Sequence, residues 1–327
     1  MIKFNQQHLL ITGGTGSYGQ VLVKKLLSAN TDLKYVTVFS RDEYKQYEMR
    51  RKFPTTQYPA LQFMIGDIRD QEALLQATKK VDIVIHAAAL KQNISGEQFS
   101  DEFIKTNVDG TRNLIKVALQ NEVKQVLCLS TDKAVYPTTL YGASKLCAEK
   151  LLLAANSKQK NTTVFSVLRL GNLFGSRGSI SSDLKNRLAD ETITITDPDM
   201  SRFSLTMEES IALTLKVLEV IKGGEIFIPK MDTYRLGDLM IALNKDVEIK
   251  SSGPRLTEKT HEIALSSEEA RFTFEWENFY VFISPTAGPY LYWQKKGSPV
   301  PHDFEMNSFQ APKLSIEVLK RLIDTHI

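Results

Sequence analysis

The sequence predicts an α/β protein with a doubly wound, mainly parallel β-sheet and a smaller C-terminal domain. Through the first half of the chain, short β-branched apolar runs alternate with amphipathic stretches, and this alternation breaks down after Arg169. Near-continuous apolar runs of this length are typical of parallel strands that are covered on both faces. Strands that alternate with helices form βαβ units, and such units build a doubly wound sheet.

This alternation predicts where each strand and helix of the first half of the chain lies. Strands are expected at His8–Thr12, Tyr35–Ser40, Leu61–Gly66, Val81–Ala87, Gln125–Thr131 and Thr163–Arg169. Helices are expected at Tyr18–Ala29, Arg41–Lys52, Asp70–Lys79, Asp101–Asn121 and Tyr141–Asn156. Folds of this type bind ligands at the carboxyl ends of the strands, so functional residues are expected there.

The second half predicts a smaller cap domain that closes over the sheet edge. Gly171–Ser182 has the composition of a loop, and Gly224–Pro229 reads as a short strand. Helices are expected at Leu184–Asp190, Met207–Lys222 and Arg235–Leu243. We assign residues 1–170, with a returning segment at about 224–245, to a nucleotide-binding domain, and residues 171–223 and 246–327 to the cap.

Composition restricts the partners of the protein. The net charge of +3, from 41 Lys and Arg against 38 Asp and Glu, gives no reason to expect nucleic acid or an anionic membrane. No apolar run reaches the roughly 18 residues of a membrane span, and no signal-peptide core is evident, so we expect a cytoplasmic protein. Cys128 and Cys147 cannot form a disulfide framework, and the five scattered histidines predict no metal site.

A glycine-rich loop follows the first strand and precedes a helix. Its glycines have the spacing G-x-x-G-x-x-G, which permits a tight turn and close approach of the backbone to a pyrophosphate. The helix N-terminus then offers free N–H groups to the phosphates. The loop residues expected to contact a dinucleotide are Gly13, Thr15, Gly16, Ser17, Tyr18 and Gly19.

The ends of the next strands extend this predicted cofactor site. Ser40, Arg41 and Lys45 suit a ribose 2′-phosphate, which favours NADP, whereas the acidic Asp42 leaves NAD open. The alternative to cofactor binding is that this segment is simply the start of a helix with solvated charged side chains. Further cofactor contacts are expected from Asp67, Ile68, Ala87, Ala88, Ala89 and Lys91.

A tyrosine and a lysine predict the chemistry. Tyr141 and Lys145 lie at positions i and i+4 of a helix and therefore share one face, close in sequence to the strand end at Thr131. A free tyrosine phenol titrates near pH 10, and a neighbouring ammonium group stabilises the phenolate. Such a pair beside a nicotinamide can take a hydroxyl proton while hydride leaves the same carbon. A lone Tyr–Lys pair also occurs on ordinary helix surfaces, but the glycine loop favours catalysis and a cofactor contact.

With these motifs the chain resembles the extended short-chain dehydrogenase/reductase superfamily, which has a Rossmann-type fold. Within it, the chain most resembles the inverting UDP-N-acetylglucosamine 4,6-dehydratases of bacterial surface-sugar pathways, such as the pseudaminic acid pathway. The most specific element of this resemblance is the triplet Thr131-Asp132-Lys133. The resemblance implies that Tyr141, Lys145 and Thr131 deprotonate the sugar 4-hydroxyl while NADP+ takes the C4 hydride. Lys133 then removes the C5 proton, Asp132 protonates the departing 6-hydroxyl, and hydride returns to C6 with inversion at C5.

The resemblance also implies a UDP-sugar site and a homo-oligomer. The residues expected to contact the substrate are Lys91, Asn172, Ser176, Arg177, Thr196, Arg202, Arg255 and Glu258. Helices Asp101–Asn121 and Tyr141–Asn156 resemble those that pair across a dyad, which predicts a dimer or a higher oligomer. The segments Gln92–Gly96, Arg255–Lys259 and Met306–Phe309 depart from the family pattern, and they leave the exact sugar open.

Three functions are therefore compared. The leading one is a UDP-N-acetylglucosamine 4,6-dehydratase with C5 inversion, a lyase that gives a UDP-4-keto-6-deoxy-hexosamine. The alternative is the next step of the same route, conversion of a UDP-6-deoxy-GlcNAc-5,6-ene intermediate to UDP-4-keto-6-deoxy-L-AltNAc. A non-enzymatic NADP sensor is disfavoured, because a sensor needs no paired acid and base such as Asp132 and Lys133.

Overall fold

A computed structural model describes residues 4–28, 32–92, 97–156, 162–176, 179, 192–243, 248–253 and 257–326. The strands, in chain order, are β1 (His8–Thr12), β2 (Tyr35–Ser40), β3 (Leu61–Ile65), β4 (Ile83–His86), β5 (Gln125–Thr131), β6 (Val164–Leu170), β7 (Asn172–Leu173), β8 (Thr192–Ile195), β9 (Ser201–Leu205), β10 (Glu225–Pro229), β11 (Asp232–Arg235), β12 (Glu248–Ser251), β13 (Ile263–Leu265), β14 (Thr273–Trp276), β15 (Phe279–Ile283), β16 (Ser298–Pro299) and β17 (Met306–Asn307).

The α-helices cover the sheet and build the second half of the chain. They are α1 (Ser17–Ser28), α2 (Glu43–Lys52), α3 (Gln71–Ala77), α4 (Ser100–Phe103), α5 (Gly110–Gln120), α6 (Leu140–Ala155), α7 (Met207–Val220), α8 (Leu236–Ala242), α9 (Ser267–Ala270), α10 (Tyr290–Lys296) and α11 (Ile316–His326). A π-helix spans Ile104–Asp109, and a 3-10 turn spans Asp132–Ala134. None of the described helices is long and apolar enough to cross a membrane.

Within the described residues, ten strands form one sheet in the order β16-β14-β15-β10-β6-β5-β4-β1-β2-β3. The strands from β10 through β6, β5, β4, β1 and β2 to β3 are parallel, and their apolar side chains form the main core. The chain runs from β1 outward to β3 and then returns to β4 on the other side of β1. This reversal is a topological switch point, where doubly wound folds bind ligands. The predicted fold class is confirmed.

The predicted strand bounds agree with the structure at β1, β2 and β5 and differ by one or two residues at β3, β4 and β6. The helix expected at Asp101–Asn121 is interrupted by the π-helix, and the helix expected at Leu184–Asp190 lies outside the described residues. The sequence analysis assigned residues 246–327 to the cap, whereas the β14–β15 hairpin in this range pairs with β10 and extends the sheet. β15 lies between β10 and β14, and it alternates buried and half-buried side chains, as an antiparallel strand with one more exposed face does.

A smaller apolar core lies beside the main one and belongs to the second half. It brings together Phe174, Met200, strands β8 and β11, and helices α8 and α11. Tyr234 packs edge-on against Phe174, with ring centroids 6.3 Å apart. Strands β7, β9 and β11 form their own three-stranded sheet, so the chain that leaves β6 is held beside the carboxyl end of the main sheet.

A buried arginine on β6 joins three separate parts of the fold. The Arg169 guanidinium is fully buried and donates to Glu149 Oε2 at 2.7 Å, to Glu269 Oε2 at 2.8 Å and to the Ala264 carbonyl at 2.8 Å. Glu149 lies on α6, Ala264 lies on β13 and Glu269 lies on α9. Two carboxylates and a carbonyl thus satisfy a charge that would otherwise be costly to bury.

Replacement of Glu149 tests this arrangement. The Glu149→Ala change leaves a buried guanidinium with one carboxylate fewer, and we expect the free energy of unfolding to fall by about 3–5 kcal/mol in urea denaturation. The matched control is Glu277→Ala, which removes a partly exposed carboxylate 3.3 Å from Lys216 Nζ and should cost less than about 1 kcal/mol. Equal losses in the two variants would contradict the structural role of Arg169.

Candidate active site

A cavity of about 1030 Å³ opens at the carboxyl ends of the parallel strands. Its wall is built from the loops after β1, β2, β3 and β4, from the end of β5, from the start of α6 and from segments of the second half. The predicted cofactor and substrate residues on this wall are Gly13, Thr15, Gly16, Ser17, Tyr18, Ser40, Arg41, Lys45, Asp67, Ile68, Ala87, Ala88, Ala89, Lys91, Asn172, Ser176, Arg202 and Glu258.

Some predicted residues are placed elsewhere. Gly19 lies behind the loop, where a Cβ would come within 2.4 Å of the Gly14 Cα, so its role is close helix–strand packing. Thr196 is buried off the wall and donates from its hydroxyl to Met200 Sδ at 3.2 Å. Arg177 and Arg255 lie outside the described residues.

The loop after β1 fits a dinucleotide. Gly13 has a positive φ of 70°, and a Cβ there would lie 2.7 Å from the Ala88 Cα, so only glycine allows the loops after β1 and β4 to meet. A Cβ at Gly16 would meet little besides the Gly13 carbonyl, which leaves room beside the N-terminus of α1. Within the described part of the chain, Thr106 Oγ1 and Ser130 Oγ are buried on this wall without a hydrogen-bond partner. Such groups are ready to bond a polar ligand.

The loop after β2 carries the groups that would meet the adenosine ribose. Arg41 Nη1 lies 3.7 Å from Asp67 Oδ2, and Lys45 Nζ lies 2.6 Å from Asp42 Oδ2. The side-chain hydrogen bond from Lys45 lowers the pKa of Asp42, which also caps helix α2. Ser40 Oγ accepts from Gln46 Nε2 at 3.1 Å. Each of the two cations therefore already has a carboxylate neighbour in this structure.

Tyr18 joins the glycine loop to the second half of the chain. Its hydroxyl hydrogen-bonds with Thr214 Oγ1 on α7, and burial raises its pKa above the ordinary value. The phenol is thus held as a neutral group, and Tyr18 contributes to the wall through its ring rather than through its hydroxyl.

The predicted Tyr–Lys pair lies at the N-terminus of α6. Thr139 caps this helix by accepting from the Gly142 amide at 3.1 Å, and the half-buried Tyr141 follows the cap on the cavity wall. Lys145 is buried and donates from Nζ to the Leu129 carbonyl at 2.7 Å. The carbonyl of β5 therefore fixes the ammonium one helical turn behind Tyr141.

Asn107 in the π-helix supports the same wall. Its side chain donates to Ser144 Oγ on α6 at 2.9 Å and pairs in both directions with the backbone of Leu90, at 2.8 and 2.9 Å. The loop after β4 and helix α6 are thus held at a fixed separation. A π-turn inside a helix is frequent at functional sites, and here it points Thr106 toward the cavity.

A charged cluster follows the end of β5. Lys133 Nζ lies 3.1 Å from Asp132 Oδ1, 2.9 Å from Asn172 Oδ1 and 3.5 Å from Glu262 Oε1. Burial alone would lower the pKa of Lys133, but the carboxyl groups of Asp132 and Glu262 outweigh it and hold this pKa above the ordinary value. Thr131 donates from its hydroxyl to Asp132 Oδ1 at 2.8 Å.

Asp132 and Lys133 differ in access to the cavity. Asp132 is fully buried and off the wall, and burial raises its pKa, with the charge of Glu262 adding in the same direction. Within the described residues, its Oδ2 has no hydrogen-bond partner. Lys133, with 23% of its side chain exposed, and Glu262 both line the wall.

The sequence analysis did not single out Glu262 or Asn107. Glu262 lies three residues after the segment Arg255–Lys259, and Asn107 lies inside the helix expected at Asp101–Asn121. A buried carboxylate that depends on a lysine 129 positions earlier leaves no local pattern in a sequence.

Known proteins are similar to this chain over most of its length. The chain matches the family described as "Polysaccharide biosynthesis protein" over residues 9–284. The UDP-N-acetylglucosamine 4,6-dehydratase (inverting) of Campylobacter jejuni subsp. jejuni serotype O:2 is 43% identical over 286 residues, which cover 86% of this chain and 84% of that protein. The UDP-glucose 4-epimerase of Rickettsia felis is 36% identical over 334 residues, which cover 98% of this chain and 96% of the relative.

Solved structures share the same architecture. The X-ray structure of Pen from Bacillus thuringiensis is 33% identical, with a TM-score of 0.89 over 99% of this chain and 100% of that one. The dTDP-glucose 4,6-dehydratase of Streptomyces venezuelae, solved with NAD bound, is 23% identical, with a TM-score of 0.69 over 78% of this chain and 87% of that one. At 23% identity, the similarity to the Streptomyces venezuelae structure shows only that the two chains share a fold.

Gly142 offers a test of the geometry around the cluster. A Cβ at this position would lie 2.2 Å from the Lys133 carbonyl oxygen, so Gly142→Ala must push the start of α6 and the Lys133 turn apart. We expect turnover of the natural substrate to fall about 10²-fold, because a displacement of about 1 Å has that effect on positioned groups. Cofactor binding at the distant glycine loop should persist. The control Gly288→Ala, whose Cβ would enter open space, should leave turnover unchanged, and equal activity of the two variants would contradict the contact.

Proposed function

Since this chain belongs to the polysaccharide biosynthesis protein family of extended short-chain dehydrogenase/reductases, we propose that it is a UDP-N-acetylglucosamine 4,6-dehydratase that inverts C5. The resemblance to this superfamily predicted from the sequence is confirmed. One observation carries the proposal: the Asp132–Lys133 pair adjoins the same cavity as Tyr141 and Lys145. Oxidation and reduction at C4 would need only the Tyr–Lys pair, whereas loss of water also needs an acid at O6 and a base at C5.

The first half of the proposed reaction uses the start of α6. Tyr141 takes the proton of the sugar 4-hydroxyl, and Lys145 stands one turn behind it to stabilise the phenolate. Thr131, at the strand end on the same wall, orients the hydroxyl. The bound nicotinamide supplies the hydride acceptor for C4 and later the hydride for C6. The 4-ketone makes the C5 proton acidic enough for a protein base to remove.

The second half uses the cluster after β5. Lys133, on the cavity wall, removes the C5 proton, and Asp132 donates a proton to the 6-hydroxyl, which departs as water. After hydride has returned to C6, C5 takes a solvent-exchangeable proton on the face opposite Lys133, and this proton completes the inversion. The raised pKa of Asp132, caused mainly by its burial, suits a carboxyl that must hold a proton. Because Lys133 stands between Asp132 and the cavity, we propose that the entering sugar displaces the Lys133 side chain and opens a path for Asp132.

The second half of the chain supplies the proposed UDP subsite. Arg202 is buried on the wall and donates to the carbonyls of Ser201 and Thr260 at 2.8 and 3.0 Å and to Glu258 Oε1 at 3.2 Å. These bonds hold a planar cation at a fixed position, as recognition of a diphosphate requires. Lys91 and Ser176 lie on the same wall.

The cofactor is proposed to be NADP. Ser40, Arg41 and Lys45 surround the place where a ribose 2′-phosphate would lie, and the phosphate would compete with Asp67 and Asp42 for the two cations. A cytoplasmic location, a role in a pseudaminic acid type pathway and a homo-oligomer complete the proposal. For the oligomer, Ile115, Leu146 and Leu151 are only half-buried in the protomer and remain available to a partner helix.

The cofactor proposal is tested by Arg41→Ala. Loss of one charge-assisted hydrogen bond, worth about 1.5–3 kcal/mol, should weaken NADP binding by about tenfold or more and leave NAD binding nearly unchanged. Fluorescence titration with NADP+ and with NAD+ measures the two dissociation constants. Arg51→Ala, which removes an exposed arginine from the neighbouring helix α2, is the control. Protein purified with NAD alone would contradict the preference.

The function itself is tested with a panel of UDP-sugars incubated with the enzyme in D2O. Loss of one water from UDP-N-acetylglucosamine, with deuterium at C5, is the expected result in mass and proton NMR spectra. Reaction only with a 5,6-ene intermediate would assign the later step instead. Interconversion of UDP-glucose and its 4-epimer without loss of water would assign the activity named for the Rickettsia relative.

Substitutions separate the elimination, assigned to Asp132 and Lys133, from the C4 oxidation, assigned to Tyr141. Asp132→Asn with Lys133→Ala should retain cofactor and UDP-sugar binding, while C5 exchange and formation of the 6-deoxy product fall at least 10²–10⁴-fold. Single-turnover absorbance of reduced nicotinamide should still show C4 oxidation in this double variant. Tyr141→Phe should block that oxidation as well. Wild-type C5 exchange in the double variant would place the base elsewhere in the cavity.

A further inference from the structure

Glu262 is a buried charge in the wall of the site, with no part in the proposed chemistry so far. Its side chain is 5% exposed, and Oε1 faces Lys133 Nζ at 3.5 Å while Oε2 faces Lys259 Nζ at 3.8 Å. Among the described residues, Oε2 has no hydrogen-bond partner. A buried carboxylate this close to Lys133 acts on the charge of the lysine side chain.

The backbone of Glu262 is fixed from both sides. Its amide donates to Ser308 Oγ at 2.8 Å, and its carbonyl accepts from the Ser308 amide at 2.8 Å. The next residues form β13, and Arg169 binds the Ala264 carbonyl there. The carboxylate therefore cannot drift away from Lys133 without disturbing the buried core.

Four charged or titratable groups from different elements face this carboxylate. They are Lys133 and Asp132 on the 3-10 turn, Arg202 on β9 and Lys259 on the preceding loop. Burial alone would raise the pKa of Glu262, but Lys133, Arg202 and Lys259 outweigh it and lower this pKa. The carboxylate thus stays ionised, and its charge raises the pKa values of both Lys133 and Asp132.

We propose that Glu262 is a positioning residue that, with Asn172, orients Lys133 on the wall and retains protons in the Asp132–Lys133 pair. Glu262 thereby sets the pH range in which the pair acts. This inference rests on the proposed function, because it assigns a regulator to the acid and base of the elimination. The two groups interact across 3.1 Å, so they titrate as one system with two apparent pKa values.

The direction in which the pH profile moves follows from the negative charge of Glu262. Lys133 must be neutral to act as a base, and Asp132 must be protonated to act as an acid. The negative charge of Glu262 favours the protonated form of both groups. Its removal lets both lose protons at lower pH, so the rising and the falling limb of the pH profile move in the same direction.

The test compares Glu262→Gln with the wild type in the pH dependence of C5 deuterium exchange on UDP-N-acetylglucosamine. Both limbs should move to lower pH, by about one to three units, since an adjacent charge shifts a pKa by that amount. Single-turnover C4 oxidation should change less than about threefold, because the Tyr–Lys pair lies outside the cluster. Glu262→Asp retains the charge and should keep the wild-type midpoints at a lower rate. Glu277→Gln is the surface control.

A second measurement does not depend on the reaction. Acetic anhydride labels neutral amines, and peptide mass spectrometry reports the labelling of Lys133 as a function of pH. The pH at which half of Lys133 is labelled should be lower in Glu262→Gln than in the wild type. Unshifted midpoints in exchange and labelling would overturn the inference. A lower labelling midpoint without any C5 exchange in the wild type would support the influence of Glu262 on Lys133 and overturn the proposed function.

Discussion

The burial of Arg169 is the constraint on which the site depends. One guanidinium in the central sheet binds a glutamate on the helix that carries Tyr141 and Lys145, and it binds the strand that follows Glu262. The Tyr–Lys pair from the first half of the chain and the charged wall from the second half are thereby held to one side chain. The arrangement is stable because both glutamates and the carbonyl satisfy the charge, whereas loss of any one leaves a cost that no water can relieve.

The site divides into two electrostatic regions. Beside the glycine loop, Arg41 and Lys45 are partly exposed. Elsewhere on the wall, the buried hydroxyls of Thr106 and Ser130 have no hydrogen-bond partner among the described residues. At the cluster after β5, charges are buried and compensate one another before a ligand arrives. The ion pairs of the first region are solvent-exposed and can exchange partners readily, whereas the second region can act only when a buried ion pair is disturbed. A division of this kind favours retention of the cofactor through repeated exchange of sugars.

Much of this could be predicted from the sequence because the signals are local. The apolar runs of β1, β2 and β5 gave the strand bounds, and the glycine spacing and the Tyr–Lys spacing located the cavity wall. The β14–β15 hairpin was assigned to the cap because its pairing with β10 joins segments some fifty residues apart. Glu262 was missed for the same reason, since its partner Lys133 lies in the other half. The buried position of Asp132 likewise depends on how the following turn folds back, which residue types alone do not specify.

The position of α11 has a consequence for the order in which the protein matures. Leu319 of this helix is fully buried in the smaller core, against residues that are synthesised much earlier. The parallel strands from β1 to β6 contain every cofactor loop, so they can pair while the ribosome is still extending the chain. The smaller core, by contrast, stays open until the last helix has emerged. A nascent chain can therefore form its parallel sheet first, and the smaller core is completed only once α11 has emerged from the ribosome.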